Sequence, residues 1–250
     1  MGTDSPTKYP VFGPDISFYQ DDPTTMFGVD FQKMKAVGSK FVLIRAGQNK
    51  WGDKAFRFNW TEAKRAGLLR GSYWFYDSRV SPKEQAKLWV SMHDGDLGEM
   101  ELWADYEEIY NGKYSNWGHF YDFLEAVKSF APGKKIGIYT GYYYWMEKTQ
   151  LISKSQKEYF KQYSLWLAAY NLSGPIVPAP WTSWKFWQFT SNGNGALFGV
   201  ESLDIDLNYY SGTLEKFSMD YPGQSTPAPD YKIVGIDVKL KSQKVISYKE

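Results

Sequence analysis

The sequence predicts an α/β fold, an irregular TIM-like barrel in which five β/α units are followed by three strands that lack helices. The first observation is a series of eight short apolar runs that end in polar residues. These predicted strands cover residues 12–16, 41–46, 71–76, 102–107, 135–140, 165–169, 185–190 and 203–207. Because strands that alternate with helices pair in parallel, we expect parallel pairing at least through the first six strands.

Segments with helical spacing separate the first six predicted strands. They cover residues 29–37, 55–66, 82–92, 117–130 and 142–163, the last with a predicted break near Ser153. Gly38, Gly67 and Gly133 follow the ends of predicted helices, where a left-handed residue is favoured. After the sixth strand the alternation stops. Three prolines interrupt residues 171–184 and three glycines lie in residues 191–202, so both segments are predicted to be loops.

The ends of the chain differ in composition from the barrel. We predict an N-terminal extension over residues 1–10, the barrel over 11–220, a Pro/Ser/Gly linker over 221–230 and a short β-like tail over 231–250. A tail of this length is too short to bury a core alone. It is therefore predicted either to dock on the barrel as a hairpin or to be the first piece of a truncated second module.

The composition excludes several classes of protein. The 29 basic residues are balanced by 28 acidic ones, which removes the electrostatic signature of a nucleic-acid-binding protein. The chain has no cysteine, so disulfides, thiolate metal sites and cysteine nucleophiles are excluded. No apolar run approaches the roughly 18 residues needed to cross a bilayer, so we expect no membrane insertion. Aromatic residues make up 19% of the chain, which stacking on sugars and packing under long loops explain equally well.

Carboxylates recur where several predicted strands end. Asp15 lies on the first strand, Asp105 and Glu107 lie on the fourth, Asp206 lies on the eighth, and Asp77 follows the third. Because active sites of parallel α/β barrels lie at the C-terminal ends of the strands, we expect the acids of the first, fourth and eighth strands to meet. Asp105 and Glu107 are two residues apart and share a strand face, so we expect Asp105 to raise the pKa of Glu107.

Such a cluster suits the hydrolysis of a glycosidic bond. One carboxyl group must stay protonated to donate to the leaving oxygen, and another must be ionised to stabilise positive charge at the anomeric carbon. Acids at strand ends also cap turns, and paired acids also bind divalent cations. The pattern therefore favours a glycosidase and leaves a metal-dependent hydrolase and purely structural roles open. His93 and His119 lie in or near predicted helices and are not expected to bind a metal.

Eight motifs, in order along residues 10–215, resemble those of the glycoside hydrolase family 25 lysozymes. They are GPDISFYQ (13–20), FVLIRAGQ (41–48), GSYWFYD (71–77), ADYEE (104–108), IGIYTGYYYW (136–145), LWLAAYN (165–171), WQFTSNG (187–193) and DIDLNYY (204–210). A lone D-x-E pair is a weak signal, whereas eight motifs in the family's order are a specific one. The family's barrel has five helices and eight strands, which agrees with the pattern above. Many relatives have histidine where Trp74 stands, so the role of that position is open.

The resemblance implies a lysozyme (N-acetylmuramidase) that hydrolyses the β-1,4 bond between N-acetylmuramic acid and N-acetylglucosamine in bacterial peptidoglycan. It implies that Glu107 is the general acid/base and that Asp105 supports the reacting N-acetyl group or the ionisation of Glu107. Asp15 and Asp206 are expected to maintain the charge pattern and hold the substrate. The implied mechanism is retaining and uses the substrate's own N-acetyl group as nucleophile. The expected sugar contacts are Tyr139, Tyr170, Gln188, Tyr76 and Arg45.

We expect no cofactor, no metal and a monomer that acts on the cell wall outside the cell. The N-terminal residues MGTDSPTKYP lack a basic region followed by an apolar stretch, so we expect release by lysis, by holin-type export or in a phage particle. Two alternatives keep the barrel and change its function. One is a non-catalytic glycan-binding subunit of a phage particle or secreted complex, and the other is a metal-dependent hydrolase.

Overall fold

A computed structural model describes residues 9–22, 24–25, 27–171 and 174–222. Within these residues the strands are β1 (Phe12–Ile16), β2 (Phe41–Gln48), β3 (Trp51–Gly52), β4 (Leu69–Phe75), β5 (Leu102–Asp105), β6 (Ile136–Gly141), β7 (Ser164–Ala168), β8 (Phe186–Asn194) and β9 (Asp204–Tyr210). The α-helices are α1 (Phe31–Ala36), α2 (Phe56–Ala66), α3 (Pro82–Ser91), α4 (Trp117–Phe130), α5 (Tyr142–Lys148), α6 (Lys154–Phe160) and α7 (Leu214–Asp220). None of these described helices has the length and apolarity needed to cross a membrane.

Eight of the described strands close into a barrel. Their order in the sheet is β1-β9-β8-β7-β6-β5-β4-β2-β3, and β1 also pairs with β2, which closes the circle. Strands β1, β2 and β4 to β8 run parallel, whereas β9 is antiparallel to both β1 and β8. Helices connect the parallel strands up to β7, and in the described residues no α-helix connects β7 to β8 or β8 to β9. The predicted irregular TIM-like barrel is therefore confirmed.

Local interactions explain where several helices begin and end. The Asp30 carboxylate accepts a hydrogen bond from the Lys33 N–H at 2.9 Å and caps the start of α1. Ser153 and Gln156 form a reciprocal capping box at the start of α6. This cap produces the break that the sequence predicts near Ser153. Gly67 ends α2 with a φ of 72°, in the left-handed region that glycine adopts most easily.

Besides the short extra strand β3, two segments near the end of the barrel differ from the prediction. Residues 191–202 are predicted to be a loop, but β8 continues to Asn194 because Gly193 still pairs with Ile205 of β9. A 3-10 helix then covers Gly195–Phe198. Helix α7 is not predicted, although Thr213 caps it through its side chain. Both segments are stabilised by contacts with other parts of the barrel, β8 by pairing with β9 and α7 by packing on Phe41. Local periodicity in the sequence does not predict such contacts.

The buried apolar residues form two groups, one between the sheet and the helices and one inside the barrel. The second group contains Val11, Phe41, Leu43, Leu69, Met100, Trp103, Tyr139, Trp166, Phe186, Tyr210, Phe217 and Tyr221. The ring centroid of Phe217, on α7, lies 5.9 Å from that of Phe41 and 5.0 Å from that of Tyr210. Helix α7 therefore closes the end of the barrel where the parallel strands begin, and the opposite end is the mouth.

Tyr221 belongs to this closed end. Its hydroxyl donates to Glu101 Oε2 at 2.6 Å, and Lys185 Nζ lies 2.6 Å from Glu101 Oε1. The packed barrel therefore includes Tyr221, one residue beyond the predicted boundary at 220. Residues 1–8 of the predicted extension, 223–230 of the predicted linker and the predicted tail 231–250 lie outside the described residues.

Candidate active site

Asp15 and Asp206 face each other at the mouth of the barrel. They are directly opposed in the antiparallel pairing of β1 and β9, a position in which Cβ atoms lie about 4.5–5.5 Å apart. Asp206 lies near the start of β9, and not at the C-terminal end of a strand as the sequence pattern predicts. Because β9 runs antiparallel, its first residues reach the edge at which the parallel strands end. The two acids therefore meet for a reason that the sequence pattern did not contain.

The D-x-E pair places Asp105 and Glu107 on the mouth side of the sheet. Strand β5 ends at Asp105, and the Tyr106 N–H continues the ladder by donating to the Tyr139 carbonyl oxygen at 2.9 Å. The Tyr106 ring lies in the outer core, stacked on Phe120 with ring centroids 3.9 Å apart. Because side chains alternate along an extended chain, the residues on either side of Tyr106 face the mouth.

The side chain of Gln188 connects two tyrosines to Asp15. Its Oε1 accepts hydrogen bonds from the hydroxyls of Tyr139 at 2.9 Å and Tyr170 at 2.8 Å, and its Nε2 donates to Asp15 Oδ2 at 2.9 Å. Asn208 Nδ2 donates to the same carboxylate oxygen at 2.8 Å. Two amides therefore fix Asp15. Asn208 is not among the predicted site residues, although it is the asparagine of the DIDLNYY motif.

Burial makes Glu107 a weaker acid than usual. Burial raises the pKa of Glu107 to about 7, and the negative charge of Asp15 acts in the same direction. The nearby Tyr139 hydroxyl, whose proton is donated to Gln188 Oε1, acts in the opposite direction. The prediction that Asp105 raises the pKa of Glu107 is therefore wrong. Burial is the largest cause, and Asp15 is the neighbouring charge.

Burial also raises the pKa values of the other mouth acids. The pKa of Asp15 is raised to about 6, although its two amide hydrogen bonds lower it. The pKa of Asp206 is raised to about 8 by burial and then by the charges of Asp15 and Glu107. Burial holds the pKa of Asp105 well above its usual range, and the charges of Glu107 and Asp15 add to this effect. The mouth therefore retains protons near neutral pH, and general acid catalysis requires one of them on Glu107.

Asp105 has an unsatisfied oxygen atom. The residue is 3% exposed, and its Oδ1 has no hydrogen-bond partner in the part of the chain that the structure describes. Leaving a buried polar atom unpaired costs free energy, and more so when the group is charged. This oxygen is therefore suited either to carry a proton or to accept a hydrogen bond from a bound molecule.

Four of the five predicted sugar contacts lie at the mouth. Tyr139 and Gln188 are buried in it, and Tyr170 is 52% exposed at its rim. Arg45 lies on β2 and forms an ion pair with Asp53, with Nε 3.1 Å from Oδ2.

The fifth predicted contact, Tyr76, lies on the other side of the sheet. It is fully buried, its ring packs against Phe120, and its hydroxyl donates to the Tyr114 carbonyl oxygen at 2.7 Å. Side chains alternate from β4 onward, so Tyr76 shares the outer side with Trp74, whereas Tyr73 faces the mouth. The prediction for Tyr76 is therefore wrong. Trp74 donates from Nε1 to Gln85 Oε1 at 3.2 Å and has a packing role.

The structure shows which side of the sheet two further residues of the motifs, Tyr73 and Glu108, occupy. Tyr73 was not selected, yet its pKa is raised well above the usual range by burial and then by the charge of Asp15, so its hydroxyl belongs to the mouth. Glu108 follows Glu107 in the ADYEE motif, but it is fully buried and accepts a hydrogen bond from the Tyr110 N–H at 2.7 Å. Glu107 is therefore the glutamate of the motif that faces the mouth.

Exposed aromatic side chains surround the mouth. In the described residues six tyrosine and tryptophan side chains are exposed, and five of them follow the C-terminal ends of parallel strands: Tyr19, Trp51, Tyr110, Tyr143 and Tyr170. This arrangement suits stacking on sugars. Many other aromatic residues fill the two cores, so both explanations of the aromatic content apply.

The histidines have no arrangement suited to a metal. His93 is buried, with Nε2 2.8 Å from Ser72 Oγ and Nδ1 3.0 Å from the Trp89 carbonyl oxygen, and burial lowers its pKa to about 4. His119 packs edge-on against Tyr114. Among the described residues, no group of three or more His, Cys, Asp or Glu side chains is arranged to hold a metal ion.

Comparison with known proteins identifies the family. The family model "Glycosyl hydrolases family 25" matches residues 14–196. The chain is 28% identical to the uncharacterized protein YegX of Escherichia coli (strain K12), over 89% of this chain and 78% of that protein. It is 26% identical to lysozyme M1 of Streptomyces globisporus, over 81% of this chain and 68% of that protein. The structure of a muramidase from Trichobolus zukalii matches with a TM-score of 0.66 and 26% identity, over 86% of this chain and all of that one. Because the family model spans most of the barrel, this chain belongs to glycosyl hydrolases family 25 and is a glycoside hydrolase.

Proposed function

We propose that this glycoside hydrolase is a lysozyme that cleaves the β-1,4 bond between N-acetylmuramic acid and N-acetylglucosamine in bacterial peptidoglycan. The observation that carries the proposal is the placement of Glu107, with its pKa raised to about 7, among three further carboxyl groups at one barrel mouth. The similarity to a lysozyme and to a muramidase supports this choice of substrate.

Glu107 is the proposed general acid/base. With a pKa of about 7, its carboxyl group is protonated in about half of the molecules at neutral pH. It donates this proton to the oxygen that leaves the anomeric carbon. The resulting carboxylate then takes a proton from the water molecule that attacks the same carbon, which returns Glu107 to its starting state.

The acetamido group of the muramic acid is the proposed nucleophile. Its carbonyl oxygen bonds to the anomeric carbon while the glycosidic C–O bond breaks, and water then attacks from the face that the leaving group vacated, so configuration is retained. The unpartnered Oδ1 of Asp105 is suited to accept the acetamido N–H. This hydrogen bond lowers the raised pKa of Asp105, and the ionised carboxylate stabilises the positive charge that develops on the acetamido group.

Asp15 and Asp206 are proposed to maintain the charge pattern and position the substrate. The two amides that hold Asp15 keep its carboxylate directed toward the mouth. Asp206 is partly exposed and has a pKa of about 8, so it can donate to a sugar hydroxyl at neutral pH. Tyr139, Tyr170 and Gln188 form one hydrogen-bonded group beside these acids and are proposed to contact the sugar.

Loss of turbidity of purified cell walls, with EDTA present, tests the proposed activity. The wild-type protein should clear the walls and release new reducing ends. Glu107→Gln should fold normally and lower the rate by on the order of 10²–10⁴-fold, because the amide cannot donate the proton. Glu84→Gln, on the exposed face of α3, is the matched control and should retain full activity.

Each alternative function gives a different result in this assay. Clearing that EDTA abolishes supports a metal-dependent hydrolase, and binding to walls without clearing supports a glycan-binding subunit. A Glu107→Gln protein that retains more than roughly a tenth of the activity contradicts the assignment of the acid, since loss of general acid catalysis is larger than this.

Retention and acetamido assistance are tested separately on soluble glycan fragments. NMR spectra recorded during hydrolysis should show the β-anomer of the product first. A fragment in which the muramic acid amine is free should be cleaved far more slowly, because it has no acetamido oxygen. Initial formation of the α-anomer contradicts retention, and equal cleavage of both fragments contradicts acetamido assistance.

We further propose that the protein acts on the cell wall as a monomer. All groups invoked above come from one barrel, so a second copy is not needed to complete the site. Light scattering during size-exclusion chromatography should give the mass of one chain, 28.9 kDa.

A further inference from the structure

Arg45 has an unused hydrogen-bond donor at the mouth. The residue is 7% exposed, and its Nε lies 3.1 Å from Asp53 Oδ2. Asp53 is itself fixed by the backbone N–H groups of Phe18 and Ala55, each at 3.0 Å. Within the described residues, Arg45 Nη2 is buried and has no partner. Because a buried unpaired donor costs free energy, this position is suited to an acceptor on a bound molecule.

Aromatic rings surround the Arg45 guanidinium group. The ring centroids of Phe18, Tyr19 and Trp51 lie 4.9, 5.1 and 5.4 Å from its Cζ atom. These contacts stabilise the cation without using its N–H donors, which lie in the guanidinium plane. Tyr19 and Trp51 are 66% and 41% exposed, so the aromatic wall is open to solvent. A ligand from solution can therefore reach it.

The positive charge of Arg45 is not neutralised by the catalytic acids. Among the described residues, its ion pair within 4.0 Å is with Asp53. The guanidinium group nevertheless lies near enough to Asp105 for its charge to lower the pKa of that carboxyl group. Arg45 alternates with Leu43 and Phe41, which face the barrel interior, so it presents a cation on the same side of the sheet as Asp105, the residue proposed to hold the acetamido group.

We propose that Arg45 binds the lactyl carboxylate of a muramic acid residue that carries no stem peptide. This inference rests on the proposed function. The lactyl ether is on C3 of the sugar, next to the C2 acetamido group assigned to Asp105, so the two side chains hold neighbouring substituents. A guanidinium–carboxylate hydrogen bond is roughly twice as strong as a neutral one. Attachment of a stem peptide converts the carboxylate to a neutral amide and removes this advantage.

The preferred substrate is then glycan from which the stem peptides have been removed. The reaction that supplies it is hydrolysis of the amide bond between the lactyl group and the peptide, which leaves a free carboxylate. The glycosidic bonds of walls whose muramic acids carry peptides should therefore be cleaved more slowly than those of peptide-free glycan.

Two soluble tetrasaccharides of alternating N-acetylglucosamine and N-acetylmuramic acid test the proposal. One has free lactyl carboxylates, and in the other each carboxylate is converted to the methylamide. The wild-type protein should show a kcat/KM roughly 10- to 100-fold higher on the carboxylate. Arg45→Gln should lose this preference, because its kcat/KM should fall much further on the carboxylate than on the methylamide. A smaller fall common to both substrates is expected from the loss of its charge near Asp105. Arg45→Lys keeps the charge but not the planar fork of donors and should be intermediate.

Lys54→Gln is the matched control. It removes a positive charge whose Nζ lies 5.1 Å from the centroid of the same Phe18 ring, but Lys54 is exposed. The wild-type preference should therefore remain in this variant. Thermal unfolding of each variant shows whether the loss of an ion-pair partner for Asp53 changes stability.

Three results overturn the inference, and they are distinguishable. Equal kcat/KM of the wild-type protein on both tetrasaccharides shows that the carboxylate is not recognised. An equal fall of Arg45→Gln on both, with a lower melting temperature, shows that Arg45 only positions Asp53. If the wild-type protein cleaves neither tetrasaccharide, the proposed function fails and this inference fails with it.

Discussion

Replacing Asp15 by asparagine should move the alkaline limb of the pH–rate profile to lower pH. The reaction requires protonated Glu107, so kcat/KM falls as the pH rises through its pKa of about 7. The pKa of Asp15 is about 6, so Asp15 is largely ionised where Glu107 titrates, and its charge helps to keep the proton on Glu107. The asparagine amide oxygen can still accept the hydrogen bonds from Gln188 and Asn208.

The change in the pKa of Glu107 limits the size of this movement. A rise from 4.5 to about 7 corresponds to about 3 kcal/mol, at roughly 1.4 kcal/mol per pH unit. Because burial is the largest cause and the charge of Asp15 follows, we expect the limb to move by about 0.5 to 1 pH unit.

Asp105→Asn is the contrasting variant. Burial and the charge of Asp15, and not the charge of Asp105, raise the pKa of Glu107. This variant should slow the reaction and leave the limb in place.

The assay is kcat/KM on a soluble glycan fragment from about pH 4 to 10, which reports the groups of the free enzyme. The ionic strength is held at about 0.1 M so that screening does not change between points. An unmoved limb in Asp15→Asn, together with a limb shifted to lower pH in Asp105→Asn, would refute the reasoning. Asp105 would then supply the charge that tunes the acid, as its spacing in the sequence suggests.

A chain that ends after residue 222 should hydrolyse soluble fragments at the wild-type rate, because α7 already closes the barrel. A chain that ends before Leu214 should be insoluble or inactive, and equal behaviour of the two truncations contradicts this. Asp206→Asn should raise the free energy of unfolding by about 1–2 kcal/mol at pH 9, and the gain should shrink toward pH 4 in denaturant titrations. Folding raises the pKa of Asp206, so its protonated carboxyl group stabilises the folded state below the unfolded pKa of about 4. This stability is lost as the pH rises through about 8, and a gain independent of pH would therefore contradict the reasoning. Tyr76→Phe should lower stability by about 1 kcal/mol through its lost hydrogen bond, with kcat/KM unchanged. A large rise in KM would contradict its place on the outer side.

The type and order of most secondary structure could be read from the sequence, because apolar periodicity and capping residues act locally. The predicted helix over residues 117–130 coincides with α4, and the predicted break at Ser153 is the N-cap of α6. Side-chain alternation was also sufficient to put Asp105 and Glu107 on one side of the sheet. The end of β8 and helix α7 were not predicted, because their pairing and burial depend on β9 and the barrel interior.

Motif order identified the mouth acids, but contacts between distant segments decide their chemistry. Gln188 reaches Asp15 across 173 residues of sequence, and the antiparallel direction of β9 brings the start of that strand to the mouth. The pKa of Glu107 is raised mainly by burial within the closed barrel and only then by a neighbouring charge. Spacing along one strand therefore indicated which residues face the mouth. The strength of the acid depends on how completely the surrounding strands exclude water from it, and this is a property of the tertiary structure alone.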